Sequence, residues 1–215
     1  MIDYVSPHFD HLALLVVDMQ RDFVLPGAPA EIAGSAAVIH AIHDVITAFR
    51  ARNFPIVHVV RLYLPDGSNA DLCRRSMIAA GKSVVVPGSR GAEVVDELMP
   101  QQIALDTPGL LSGHLQLLAA SEWAMYKPRW GAFYATNLES HLRDLGVDTL
   151  AITGCNFPNC PRATLYEASE RDFRTILVTD AVSRLYDQGV SELISIGVNV
   201  MTAERLLSQL SPADA

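Results

Sequence analysis

Residues 149–179, TLAITGCNFPNCPRATLYEASERDFRTILVT, hold two short apolar runs separated by a loop and a helical segment. The runs at 149–153 and 175–179 are continuous rather than alternating, which marks strands buried on both faces. Between them 160–171 reads as a helix, with Pro161 suited to the first turn, where its missing N–H is no loss. Strand, helix, strand in this order suggests a parallel sheet covered by helices.

The same alternation extends outward. Leu12–Val17 (LALLVV) reads as a strand ending at Asp18, and Val38, Ile42, Val45, Ile46 and Phe49 share one face of a helix across 34–52. Ile56–Val60 follows Pro55 as the second strand, and 123–127 is the third. The stretch 64–91 is a long irregular loop with one helical turn near 71–79, and 92–98 is a short helix. Residues 100–121 give no clear reading. Thr136 and Glu139 form a capping box, with Glu139 reaching back to the cap amide, and Gly146 ends that helix. A sixth strand at 198–201 and a last helix at 202–210 complete the order. The expected fold is a three-layer α/β/α arrangement with a mostly parallel central sheet, as one domain over 1–215.

Half of the 215 residues are hydrophobic and 19% are charged, which excludes a wholly disordered chain. The net charge of −8 repels phosphate backbones and anionic lipid, so neither nucleic acid nor a membrane surface is an expected partner. Three cysteines, at 73, 155 and 160, form no disulfide framework and no zinc site. The first residues lack a basic segment, and no apolar run approaches the ~20 residues that cross a bilayer. A reducing, cytoplasmic setting is the expectation.

Ligands of open α/β sheets bind beyond the carboxyl ends of the strands. Three reactive groups stand there: Asp18, Lys127 and Cys160. Taken alone, Asp18 could be a cap and Lys127 a solvated charge. Cys160 opens a helix, where free amides and the helix dipole favour thiolate, whereas Cys73 and Cys155 fit ordinary unreactive roles. The three groups on neighbouring strand ends could supply a nucleophile, its base and an orienting cation.

These features resemble the isochorismatase-like cysteine hydrolase superfamily, which includes nicotinamidases and N-carbamoylsarcosine amidohydrolase. The matching pieces are LLVVDMQRDF at 14–23, FPIVHVVR at 54–61, PGSRGAEVVDEL at 87–98, KPRWGAF at 127–133, LRDLGVDTLAITG at 142–154 and NCPRATLYEASERDF at 159–173. The resemblance implies an Asp18, Lys127, Cys160 catalytic triad and a cis Cys155–Asn156 peptide. It also implies an oxyanion hole from the Asn156 and Cys160 amides, and a homodimer or homotetramer. The implied reaction is cleavage of a small molecule's C–N bond through a thioester.

The chain departs from the family pattern in places. Phe157 and Pro158 stand where Thr and Asp are common, and Pro161 where Val is frequent. Metal-using nicotinamidases carry histidines after the second strand, and residues 61–68 contain none. No metal and no cofactor are therefore expected, and nicotinamide is disfavoured as substrate. Cys160 argues against enol-ether hydrolysis. Phe23, Trp130 and Phe157 are either pocket walls or core aromatics. Arg61 either holds a substrate carboxylate or forms a surface salt bridge, and Arg162 is a similar case. His58 suits a satisfied core position, and His40 and His43 an exposed helix face. The alternatives to an amidase are a hydrolase of a lactam, ureide or ester, and a redox-sensing or binding protein in which Cys155 and Cys160 pair.

Overall fold

The computed structural model describes residues 3–210. The elements in chain order are β1 (Leu12–Val17), α1 (Arg21–Val24), α2 (Ile39–Ala51), β2 (Ile56–Val60), α3 (Leu72–Ala79), α4 (Thr107–Leu111), β3 (Gln116–Ala119), β4 (Glu122–Tyr126), α5 (Leu138–Asp144), β5 (Thr149–Gly154), α6 (Cys160–Ser169), β6 (Arg174–Val182), α7 (Asp187–Ser195), β7 (Asn199–Met201) and α8 (Ala203–Leu210). They form a seven-stranded sheet in the order β3-β4-β2-β1-β5-β6-β7. Only the β3–β4 pairing is antiparallel. The alternation of strand and helix thus gives the expected three layers. No helix among the described residues is long and apolar enough to cross a membrane.

The continuous apolar strands are explained by two cores. Leu12, Leu14 and Val16 of β1 face one side, where they join Ile42, Val45 and Phe49 of α2 and Leu206 of α8. Ala13, Leu15 and Val17 face the other, with Leu138 and Leu142 of α5 and Leu165 and Ala168 of α6. Successive side chains of a strand point to opposite faces, so both sets must be apolar.

Four readings need correction. β3 lies in the stretch that gave no reading, because a short edge strand with an exposed Leu117 carries little periodic signal. The segment read as a helix at 92–98 is two 3₁₀ turns, Arg90–Ala92 and Asp96–Leu98. The capping box does not form: the Thr136 hydroxyl donates to the Ala132 carbonyl at 2.7 Å, and Glu139 pairs with Arg171 at 3.3 Å. Finally, α7 has no counterpart in the sequence reading, which left the stretch 180–197 unassigned.

One buried polar cluster ties β4 to β2 and α2. Glu122 of β4 accepts two bonds from Arg50, at 2.7 and 2.8 Å, and stands 2.6 Å from His58 Nε2. His58 is therefore a core histidine, although its Nδ1 has no partner among the described residues. Burial works against the Glu122 carboxylate, but Arg50 and His58 outweigh it and hold its pKa below the usual value.

Candidate active site

The sheet reverses its winding at β1. From there the chain moves outward to β2, and later returns to lay β5 on the other side. Such a switch point opens a crevice beyond the strand ends. Asp18 leaves β1 in the left-handed region, φ 54°, while its amide still donates to Val59 at 2.8 Å. This backbone conformation is one that Asp tolerates better than most residues.

Lys127 leaves β4, and its strand is not adjacent to β1: β2 lies between them. The three groups therefore do not sit on three neighbouring strand ends. The long lysine side chain spans the gap, and Lys127 Nζ donates to Asp18 Oδ2 at 2.9 Å and to the Arg129 carbonyl at 3.3 Å. Lys127 is fully buried and Asp18 is 3% exposed. Asp18 Oδ1 has no hydrogen-bond partner among the described residues.

Cys160 is the first residue of α6, reached from β5 through the loop 155–159. The loop can start only because residue 154 is glycine. Its φ is +113°, and a Cβ there would fall 2.1 Å from the Val17 carbonyl oxygen. The Cys155–Asn156 peptide is cis. Within the loop, Cys155 donates its amide to Val17 at 2.9 Å, Phe157 to Ser183 at 2.9 Å and Asn159 to Asn156 at 3.0 Å. The amides of Asn156 and Cys160 donate to no acceptor among the described residues.

The electrostatics of the thiol differ from the sequence expectation. The pKa of Cys160 is pushed up to about 12, first by burial and then by the negative charge of Asp18. Lys127 and Arg61 act in the opposite direction without prevailing. A helix N-terminus is thus outweighed by desolvation and an adjacent carboxylate. The resting group is a neutral thiol beside an ion pair. Cys155 is wholly buried, donates its thiol to the Asp18 carbonyl at 3.0 Å, and has its pKa raised chiefly by burial.

A small cleft reaches this constellation. Its walls include Phe23, Ile32, Tyr63, Arg74, Trp130 and Asn156, with Asp18 and Cys160 at its base. Phe23 and Trp130 thus stand at the cleft. Phe157 does not: it is fully buried and packs edge-on against Tyr186, at 5.4 Å between ring centres. An aromatic beside the loop is pulled into the core because α7 closes over it. Arg61 lines the cleft, but neither as a surface residue nor as a free cation. It is 2% exposed, ion-paired with Asp71, and bonded to the Tyr63 hydroxyl at 3.1 Å. Arg162 bonds to Tyr186 and Glu192 instead.

Tyr63, Asp71 and Arg74 were not singled out by the sequence. They lie in the irregular stretch after β2, where the only hint is the cationic pair Arg74-Arg75 in a chain short of cations. A larger open depression, bordered by Arg21, Arg90 and Glu93, shares no wall residue with the cleft and contains no cysteine. Among the described residues, no group of three or more His, Cys, Asp or Glu side chains is placed to hold a metal ion. His40 and His43 lie near Asp44 on the outer face of α2.

A doubly wound α/β sheet with an acid, a lysine and a cysteine gathered at its switch point defines a narrow class of protein. The chain belongs to the isochorismatase family, whose domain matches residues 12–205. Its similarity to known proteins spans nearly its whole length. It is 32% identical to an isochorismatase family protein of Desulfovibrio vulgaris, with a TM-score of 0.80 over 94% of this chain and 99% of that one. It is 26% identical to N-carbamoylsarcosine amidase from Thermoplasma acidophilum, with a TM-score of 0.69 over 90% and 96% of the two chains. It is also 30% identical to a probable inactive nicotinamidase of Arabidopsis thaliana, over 96% of this chain and all of that protein.

Proposed function

We propose that this protein is a cysteine hydrolase that cleaves an amide-type C–N bond of a small molecule through a thioester. The observation that carries the reading is the buried Lys127–Asp18 pair at 2.9 Å, placed against the Cys160 thiol at the base of a cleft. A lysine and an aspartate buried together at that spot serve no packing need, because two well-packed apolar residues would be at least as stable. The kinship with an amidase supports the choice of bond.

The mechanism follows from the resting charges. With a pKa of about 12, thiolate amounts to about one molecule in 10⁵ at pH 7, so deprotonation and attack must proceed together. Asp18 takes the thiol proton as Sγ bonds to the substrate carbonyl carbon. The carbonyl oxygen gains the negative charge and is met by the free amides of Asn156 and Cys160. As the tetrahedral intermediate collapses, the C–N bond breaks and protonated Asp18 gives its proton to the departing nitrogen. This leaves a thioester and an ionised Asp18. A water then gives a proton to Asp18 and adds to the thioester, and collapse releases the acid as the proton returns to sulfur. Lys127 holds the carboxylate in place and balances its charge between the two half-reactions.

Neither metal nor cofactor enters this scheme. The chain acts as one domain, and a homodimer or homotetramer in a cytoplasmic setting is the expected working form. The test is turnover of a panel of small amides, ureides and lactams by wild type, Cys160→Ala and Cys160→Ser. The expected result is turnover by wild type alone, with Cys73→Ser near wild type. Activity surviving in both Cys160 variants, or wild type inert on the whole panel, would overturn the reading.

A further inference from the structure

Two hollows meet at one residue. The catalytic cleft holds only about 20 Å³ of open space, little more than a single water needs. A second hollow of about 140 Å³ lies beside it, and its walls include Leu64, Pro65, Ile78, Val84 and Val86. Among the described residues, Tyr63 alone borders both. An apolar cavity of roughly 150 Å³ takes a benzene-sized molecule. The second hollow is therefore large enough for a group that the cleft excludes.

Tyr63 is held at both ends and is 4% exposed. Its amide donates to the Val85 carbonyl at 3.1 Å, which sets residues 84–86 of the hollow beside it. Its hydroxyl accepts from Arg61 at 3.1 Å and donates to Asp71 at 3.2 Å. The Arg61 guanidinium carbon also stands 5.0 Å from the centre of the ring. A ring fixed in this way cannot swing aside for a ligand at little cost. Trp130, another wall of the cleft, is by contrast 42% exposed. The cleft thus has an open side at Trp130 and a closed side at Arg61 and Tyr63.

We propose that Tyr63 is a specificity-determining residue: its ring is the partition between the cleft and the second hollow, and it restricts the substrate to a short acyl group. The orientation of the acyl group rests on the hydrolase reading, whereas the partition does not. A departing amine and an incoming water must pass through the open side, so the acyl group points to the closed one. Removing the ring joins the two spaces, and the apolar hollow then receives a benzene-sized acyl group. The hydroxyl has a separate task, bracing Arg61 and Asp71, so Tyr63→Phe leaves the partition in place.

The test uses aldehydes, which place their chain where an acyl group would lie and react without turnover. Sγ bonds to the aldehyde carbon, and the thiol proton passes to the carbonyl oxygen. Hemithioacetal formation is followed by carbon NMR with acetaldehyde and phenylacetaldehyde labelled at the carbonyl. Cys160→Ala protein serves as the blank, and glutathione corrects for each aldehyde's own reactivity. Wild type should favour acetaldehyde by about tenfold or more, the usual effect of a group too large for its pocket. Tyr63→Ala should erase that preference, and Tyr63→Leu, which keeps a buried apolar side chain, should erase part of it. Tyr63→Phe should retain it. Adding Val86→Phe to Tyr63→Ala fills the hollow and should restore it. The proposal is overturned if neither aldehyde adds to Cys160, if wild type shows no preference, or if Tyr63→Ala and Tyr63→Leu both keep it. It is equally overturned if Tyr63→Phe loses the preference as fully as Tyr63→Ala, or if Val86→Phe fails to restore it. The expected size selection in a protein that turns over no amide would instead refute the hydrolase reading and leave the partition standing.

Discussion

Lys127→Met removes one charge from the buried pair while keeping an unbranched side chain of similar length. The ammonium lies 2.9 Å from Asp18 Oδ2, with the lysine fully buried and the aspartate almost so. Asp18 Oδ1 already lacks a partner, so after substitution the carboxylate would keep no hydrogen-bonded cation, and the nearby Arg61 is already paired with Asp71. Breaking a buried pair in this way costs about 3–5 kcal/mol. For a domain of this size each kcal/mol shifts Tm by about 2–4 °C, so the expected drop is about 6–20 °C at pH 7. Adding Asp18→Asn should return much of the loss, because no uncompensated charge then remains. Thermal unfolding of wild type, both single variants and the double variant completes the cycle. A Lys127→Met protein melting within about 2 °C of wild type, or a double variant no better than the worse single one, would refute the assignment of a desolvated ion pair.

Alkylation of Cys160 by iodoacetamide, followed by peptide mass, should accelerate about tenfold per pH unit up to pH 10 without levelling, whereas free glutathione levels off near pH 9. A plateau for Cys160 below pH 8 would show a stabilised thiolate instead. The same raised pKa means that the protonated thiol stabilises the fold fully below about pH 9 and that this contribution is lost as pH rises towards 12. Cys160→Ala should flatten that alkaline fall, as followed by urea unfolding across pH 8–10. At the acid end the sign reverses for Glu122, whose lowered pKa stabilises the fold above its ordinary range and ceases to do so as pH falls. Glu122→Gln should cost about 1–3 kcal/mol at pH 7 and less at pH 4, and an equal cost at both would contradict the Arg50–Glu122–His58 bracing.

Much of this architecture is legible from local pattern. The buried strands announce themselves because a residue such as Leu14 and its neighbour Leu15 face different cores, which forces continuous apolar runs. Asp18 and Cys160 are visible because each ends or follows such a run. What escaped depends on long-range contact. β3 is a four-residue edge strand whose pattern is partly exposed, so no period distinguishes it. Thr136 and Glu139 satisfy a capping spacing, yet Thr136 is claimed by Ala132 and Glu139 by Arg171. Phe157 looks like a cleft residue until α7 covers it. Arg61 and Asp71 stand ten positions apart in an irregular stretch, and only the fold brings them together to fasten α3. The thiol's high pKa follows from burial next to Asp18, an environment that no local window of sequence contains.

The thioester is the step that separates a cysteine hydrolase from every other use of this site. Wild-type protein mixed with each member of the amide, ureide and lactam panel, quenched in acid within milliseconds to seconds and digested, should yield one peptide carrying the acyl mass on Cys160. The adduct should disappear on incubation with hydroxylamine and be absent in Asp18→Asn, which cannot accept the thiol proton. No adduct with any substrate that is turned over, an adduct confined to Cys73 or Cys155, or an undiminished adduct in Asp18→Asn would contradict the account.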